Sequence, residues 1–288
     1  MDDGSSQPFE SELGPNLEYK AIARLSILEL GRNLGHQRAI AVGLSYIEEN
    51  EDCDAVVVMD ADGEDDPRYI PALLGELTRQ GGRKVIFAQR TKRSESLIFR
   101  CFYSAYKALY RVLTASGIRV GNYCIIPASL LPKIVLLSEI WNHFSAGILR
   151  GRIAHEELAT IRAARLNGSP QMSFVYLVLH GLGAISIQAD TLGVRALAGS
   201  AIAVGLTLLA MAAVVSLKLF TGLAVPGWAA ILMVVLLLIS VQALSASLVF
   251  ILLILRGRNN SDFLPKRDCR HFVRAIHTVF PPEVMDRR

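Results

Sequence analysis

Asp54-Ala55-Val56-Val57-Val58-Met59-Asp60-Ala61-Asp62-Gly63-Glu64-Asp65-Asp66-Pro67 is the stretch on which the reading of the fold turns. Its first half is a short β-branched run, the pattern of a strand buried within a parallel sheet. Its second half is a cluster of carboxylates, and Pro67 suits the opening of a helix. Open α/β sheets bind ligands beyond the carboxyl ends of their strands. A D-x-D at such an end brings two oxygen ligands near one point, which suits Mg²⁺ or Mn²⁺ bridging phosphates. An isolated acidic turn would read as a solvated loop. The strand before it and the Asp66-Pro67-Arg68-Tyr69-Ile70-Pro71 helix start after it make Asp60 and Asp62 candidate metal and diphosphate ligands.

Outward from this centre, residues 16–50 read as helical, as LEYKAIARLSILEL (17–30) followed by HQRAIAVGLSYIEEN (36–50). Lys84–Ala88 reads as a second strand, followed by Gln89-Arg90-Thr91-Lys92-Arg93, and helix returns over Leu97–Ser116. Helix alternating with strand predicts an α/β domain with a mostly parallel sheet over residues 1–170.

The chain has 288 residues, 52% of them hydrophobic, and a mean hydropathy of +0.37, more apolar than an ordinary soluble domain. A net charge of +4 gives no reason to expect a nucleic-acid partner. Cys53, Cys101, Cys124 and Cys269 form no CxxC pair, so neither a zinc site nor a disulfide framework is expected. No signal peptide is visible, because the stretch from Met1 to Pro15 is acidic and polar.

The apolar excess is concentrated at residues 196–255. Ala198–Leu217 carries no charge, and a bilayer core of about 30 Å needs about 20 such residues in a helix. Trp228–Leu255 is a second uncharged run, and Pro226-Gly227 in the connector favours a turn. Two membrane spans forming a hairpin are therefore expected. Basic residues cluster after Leu255 (Arg256, Arg258, Lys266, Arg267, Arg270, Arg274), while the connector offers only Lys218. The positive-inside rule then puts both termini and the α/β domain in the cytoplasm, on the inner or plasma membrane. Residues 256–288 read as a basic cytoplasmic tail, either solvated or bound to anionic lipid. Residues 171–195 are apolar but broken by His180, Gly181 and Gly183, and read as an interfacial segment.

An ordered series of motifs resembles the family 2 glycosyltransferases, in the branch of dolichol-phosphate-mannose synthases and bactoprenol glycosyltransferases. The series is Asp2-Asp3-Gly4-Ser5, Arg32-Asn33-Leu34-Gly35-His36-Gln37, Met59-Asp60-Ala61-Asp62, Arg90 with Arg93, Tyr103, the Gly121-Asn122-Tyr123 turn, Arg162 with Arg165, and the paired C-terminal spans. The resemblance implies a GT-A-like domain and transfer of one sugar from a nucleotide-sugar to a polyprenyl phosphate. It implies that Asp2 or Asp3 contacts the base or ribose, with Asn33 and Arg90 also at the donor. Asp60 and Asp62 would hold Mg²⁺ or Mn²⁺ and the diphosphate. Arg93, Arg162 and Arg165 would meet the acceptor phosphate, since guanidinium suits bidentate phosphate recognition. His36 and Asn33 either shape the pocket or cap the second helix.

Three departures qualify the match. In the resembled fold a β-α-β unit precedes the DDGS turn, whereas Met1 stands immediately before Asp2 here. The expectation is a longer reading frame that encodes the missing unit. Asn122 replaces the acidic residue that bactoprenol-type relatives often carry, so no carboxylate base is available at this catalytic position. Gly168-Ser169-Pro170-Gln171 lacks the lysine of a GxSK-like segment. No QxxRW sequence occurs, which argues against a processive synthase. The alternatives are transfer to a diacylglycerol or ceramide-type lipid, and an inactive membrane-anchored scaffold. A homo-oligomer through the spans is a further expectation.

Overall fold

The computed structural model describes residues 1–5, 22–90, 120–161, 186–221, 227–258 and 263–280, and divides the chain into two compact units. The described parts of the first unit come from residues 1–5, 22–90, 120–161, 186–187 and 263–280, and those of the second from residues 188–221 and 227–258.

In the first unit the described elements run β1 (Leu25–Leu30), α1 (His36–Asn50), β2 (Ala55–Val58), α2 (Ile70–Arg79), β3 (Val85–Arg90), β4 (Cys124–Pro127), α3 (Leu131–Ile134), α4 (Phe144–Arg150) and β5 (His155–Thr160). The α/β reading holds, and α1 covers the HQRAIAVGLSYIEEN segment. The mostly parallel sheet does not. Strand order is β2-β4-β3-β5, with β4 antiparallel to both of its neighbours and only β3–β5 parallel. The reason is local: Cys124-Ile125-Ile126-Pro127 is a four-residue strand, buried throughout, inserted between the two strands legible in the sequence.

The helical reading of residues 16–50 also fails over residues 22–30, and residues 16–21 lie outside the described residues. LSILEL at 25–30 is a strand, with Ile27, Leu28 and Leu30 buried. Its partner is β6 (Val273–Phe280), in the region read as a basic tail. That region is built into the domain. α7 (Pro265–Asp268) and the turn after it lead into β6, and Phe263 stacks on Trp141 with ring centroids 3.8 Å apart. Phe272 lies 5.3 Å from the same indole, and Lys266 reaches Glu48 at 2.7 Å.

α1 joins the two sheets because its apolar residues fall on two sides. Ala41 and Leu44 pack with Val58, Phe87, Ile126, Ile134 and Phe144, whereas Ala39 and Val42 pack with Leu28, Leu30 and Cys269. Burial pushes the thiols of Cys124 and Cys269 up, that of Cys269 to about 11, so both are protonated buried groups rather than nucleophiles.

The second unit is a helical hairpin, α5 (Ala189–Thr221) and α6 (Gly227–Arg258). Both helices are long and apolar enough to cross a membrane, and most of their apolar side chains are exposed. Each is longer than its uncharged run, and α5 takes in residues 189–195, read as the end of an interfacial segment. Residues 171–185 and the helix expected over Leu97–Ser116 lie outside the described residues.

Where α5 and α6 meet, small and hydroxyl side chains face each other in a fixed antiparallel register. A Cβ on Gly193 would lie 3.0 Å from Ile251 and 3.1 Å from Ile254. Ser200 Oγ is 3.1 Å from Ser247 Oγ, and Thr207 Oγ1 is 3.4 Å from Ser240 Oγ. These positions recur one heptad apart on each helix, the spacing of a left-handed seam, and small residues let two backbones approach.

Candidate active site

The Asp60–Asp62 loop follows β2, and the Gly121-Asn122-Tyr123 turn precedes β4. Because these strands are antiparallel with Val58 opposite Cys124, both segments fall on one edge of the sheet. β3 ends on that edge at Arg90, opposite Thr160 of parallel β5. Topology thus gathers Asp60, Asp62, Asn122 and the backbone of Arg90 at one end. The Arg90 side chain, Arg93, Tyr103, Arg162 and Arg165 are outside the described residues.

The acidic loop is organised by residues to which the sequence reading gave no role. Asp65, only 2% exposed, accepts the Asp60 N–H at 2.9 Å, while Asp62 Oδ1 accepts the Glu64 N–H at 3.0 Å. The Tyr123 hydroxyl donates to the Asp66 carbonyl at 2.8 Å, and Tyr69 accepts the Ile161 N–H at 3.1 Å. Asp66 caps the turn at Pro67–Tyr69, and its Arg68 partner holds its carboxyl below the ordinary value. Two half-buried carboxylates suit a divalent ion that completes its shell with water and substrate phosphate. Among the described residues no group of three or more His, Cys, Asp or Glu could hold a metal alone.

Burial, with the nearby Asp65 and Asp66 carboxylates, pushes the Tyr123 phenol up to about 12. A folded-state pKa raised above the usual value near 10 contributes stability that is complete below pH 10 and lost as pH rises through about 12. Tyr123→Phe should remove that alkaline loss while costing about 1 kcal/mol at neutral pH for the missing hydrogen bond. Thermal unfolding of both proteins from pH 8 to 12 checks this. Parallel curves throughout would contradict it.

The DDGS segment sits beside β1 rather than in a loose terminus. The Asp2 N–H donates to the Leu28 carbonyl and the Asp2 carbonyl accepts the Leu30 N–H, forming a short parallel bridge to β1. Hydrogen bonds from Ser5 hold the Asp2 carboxyl below its ordinary value. Asp3 spends both oxygens on the loop before α1, accepting Leu34 N–H at 2.7 Å and Gly35 N–H at 2.8 Å. Gly4 is required here: its φ is +69°, and a Cβ would lie 2.6 Å from the backbone of Arg32 and Asn33. An alanine carries about 1–2 kcal/mol of left-handed strain before that clash is counted. Gly4→Ala should detach residues 2–5, raising hydrogen exchange at the Leu30, Leu34 and Gly35 amides. Unchanged protection would refute this arrangement.

The RNLGHQ segment meets the site through Gln37, which was quoted within the motif but given no role there. Gln37 is buried, and its amide joins the Asn122 side chain to the Phe144 N–H at the start of α4. His143, also buried, caps α4 through Nδ1 and the Ala146 N–H. No sequence signal singled out His143 or Asp65, because burial of a polar group is set by tertiary packing. Asn33 and His36 begin the approach to α1 without a capping side chain there, since Gly35 occupies the N-cap.

Comparison with known proteins adds the chemistry. An uncharacterized glycosyltransferase of Bacillus subtilis, YkcC, is 29% identical over 224 residues, 74% of this chain and 65% of that protein. An uncharacterized glycosyltransferase of Synechocystis, sll0501, is 26% identical over 80% of this chain and 72% of its own length. The chain resembles sugar transferases. The undecaprenyl-phosphate 4-deoxy-4-formamido-L-arabinose transferase of Salmonella paratyphi B is 28% identical over 238 residues, 80% of this chain and 68% of that enzyme. The chain thus spans about two thirds of the length of these relatives. No protein-family model matches it.

Proposed function

We propose that the chain is a membrane-bound family 2 glycosyltransferase that moves one sugar from a UDP- or GDP-linked donor to a polyprenyl phosphate at the cytoplasmic face. The observation that carries this reading is the single sheet edge where Asp60, Asp62, Asn122 and the backbone of Arg90 converge, in a chain with two helices long and apolar enough to cross a membrane. The similarity to an undecaprenyl-phosphate sugar transferase supports a sugar transferred to a lipid phosphate.

In this reading Asp60 and Asp62 hold Mg²⁺ or Mn²⁺, which when bound neutralises charge on the departing nucleoside diphosphate. Asp65 fixes the Asp60 backbone, and Tyr123 fixes the chain at Asp66, so the loop is positioned before substrate arrives. Asp2 is the nucleoside contact, whereas Asp3 acts by holding the loop before α1. Arg90, Arg93, Arg162 and Arg165 take phosphate oxygens. A lipid phosphate is already an anionic nucleophile, so its oxygen attacks the anomeric carbon as the bond to the diphosphate breaks, with no general base required. The basic residues after α6 set the domain on the cytoplasmic side, and pairing of hairpins would give a homo-oligomer.

The test is an assay of membranes containing the full chain with a panel of UDP- and GDP-sugars and undecaprenyl phosphate. Formation of a lipid-linked sugar dependent on magnesium or manganese is expected. No product with any donor, together with no metal-dependent binding of nucleotide-sugar by calorimetry, would leave the scaffold reading in its place.

A further inference from the structure

A chain of hydrogen-bond polarity runs from a helix terminus to the site edge. The Phe144 N–H, at the first position of α4, can only donate, so Gln37 must turn its carbonyl toward it, at 2.5 Å. The Gln37 NH₂ then faces Asn122, and Asn122 must answer with its own carbonyl oxygen, at 3.1 Å. The remaining pole of Asn122 is its NH₂, for which no acceptor is found among the described residues. Gln37 is only 7% exposed, so leaving either of its poles unmatched would be costly, and the orientation is enforced.

We infer that Gln37 is a positioning residue that fixes Asn122 as a hydrogen-bond donor to a phosphate oxygen at this edge. The inference rests on the proposed transfer to a lipid phosphate and deepens it. The site presents a donor where a carboxylate would present an acceptor and a negative charge. An amide NH₂ can donate to an anionic nucleophile, which an ionised carboxylate cannot. The phosphate belongs either to the lipid acceptor or to the nucleotide-sugar, and both are oxyanions that an amide NH₂ recognises.

Two substitutions reverse the pole while keeping the shape. In Asn122→Asp the Gln37 NH₂ still finds a carboxylate oxygen, but the second oxygen replaces the donor. In Gln37→Glu one oxygen still accepts the Phe144 N–H and the other accepts the Asn122 NH₂, which turns the Asn122 carbonyl outward. Each should lower kcat/KM with undecaprenyl phosphate by about 10²-fold, the scale of losing one oriented donor. A rise confined to the KM for undecaprenyl phosphate assigns the lipid phosphate, and one confined to the KM for nucleotide-sugar assigns the diphosphate. Activity of Asn122→Asp equal to or above the unmodified chain, or unchanged kinetics in Gln37→Glu, would overturn the inference. Thermal unfolding of the full chain in detergent judges the relay without turnover. Each single variant should unfold near the unmodified temperature, and the double variant, with facing carboxylates, about 5 °C or more below the sum of the singles. Additive shifts would overturn the relay. If the unmodified chain turns over no donor, the proposed function and the assigned ligand fall together, and the unfolding cycle still decides the relay.

Discussion

Asp60→Ala and Asp62→Ala are each expected to lower sugar transfer by at least about 10²-fold while leaving membrane insertion and unfolding temperature close to unchanged. The two effects separate because these side chains are half-buried at a loop and lie outside the apolar clusters that hold the domain together. The loop has its own supports. The Asp60 N–H is taken by Asp65, and the chain at Asp66 is pinned by the Tyr123 hydroxyl, so truncating Asp60 or Asp62 at Cβ leaves the backbone in place. Among what Asp62→Ala loses is the turn hydrogen bond from the Glu64 N–H, worth about 1 kcal/mol. Asp65→Ala should behave differently, since it removes a carboxylate only 2% exposed and leaves the Asp60 N–H without that acceptor. Kinetics and thermal melts on purified protein test the contrast. Full turnover in both the Asp60 and Asp62 variants would remove the metal site from the mechanism.

The second large effect concerns the region after the hairpin. A chain ended at Asp262 should fail to hold the α/β unit folded. It loses the strand that pairs along the whole of β1, the Phe263 and Phe272 rings on Trp141, and buried Cys269. The two half-buried phenylalanines alone represent roughly 1–3 kcal/mol each, and β1 is left with exposed backbone groups. Total stability is only about 5–15 kcal/mol for a domain, so the sum is a large share of it. Phe272→Ala, a milder version, should lower stability by about 2 kcal/mol. The check is circular dichroism and protease resistance of the two proteins in detergent. A truncated chain with unchanged unfolding would show that the β1–β6 sheet is dispensable.

That region also marks where sequence reasoning stops. α1 was legible because its apolar residues recur at helical spacing over fifteen positions. The Ala55–Val58 strand was legible because a β-branched run ends abruptly in carboxylates. LSILEL was misread because six residues with leucines at 25, 28 and 30 satisfy a helical spacing as well as a strand. What decides between them is Val273–Phe280, more than 240 positions later. β6 was hidden in turn by Arg274, which reads as one of the tail's basic residues; in the fold Arg274 and His277 both reach Glu29 across the strand pair. At the site, Asp60 and Asp62 stand out in the sequence as paired carboxylates after a strand. Gln37, Asp65 and Tyr123 do not, because their roles consist of partners 85, 5 and 57 residues away, which only the folded chain brings together.

The hydroxyls on the α5–α6 seam have a bearing on how the hairpin enters a bilayer. Each also donates to a carbonyl one turn back on its own helix: Ser200 to Ala196, Thr207 to Ala203, Ser240 to Leu236 and Ser247 to Ala243. No hydroxyl proton waits for the neighbouring helix to arrive. The helices can therefore be threaded into hydrocarbon one after the other during synthesis, and their mutual alignment settled only once both are there.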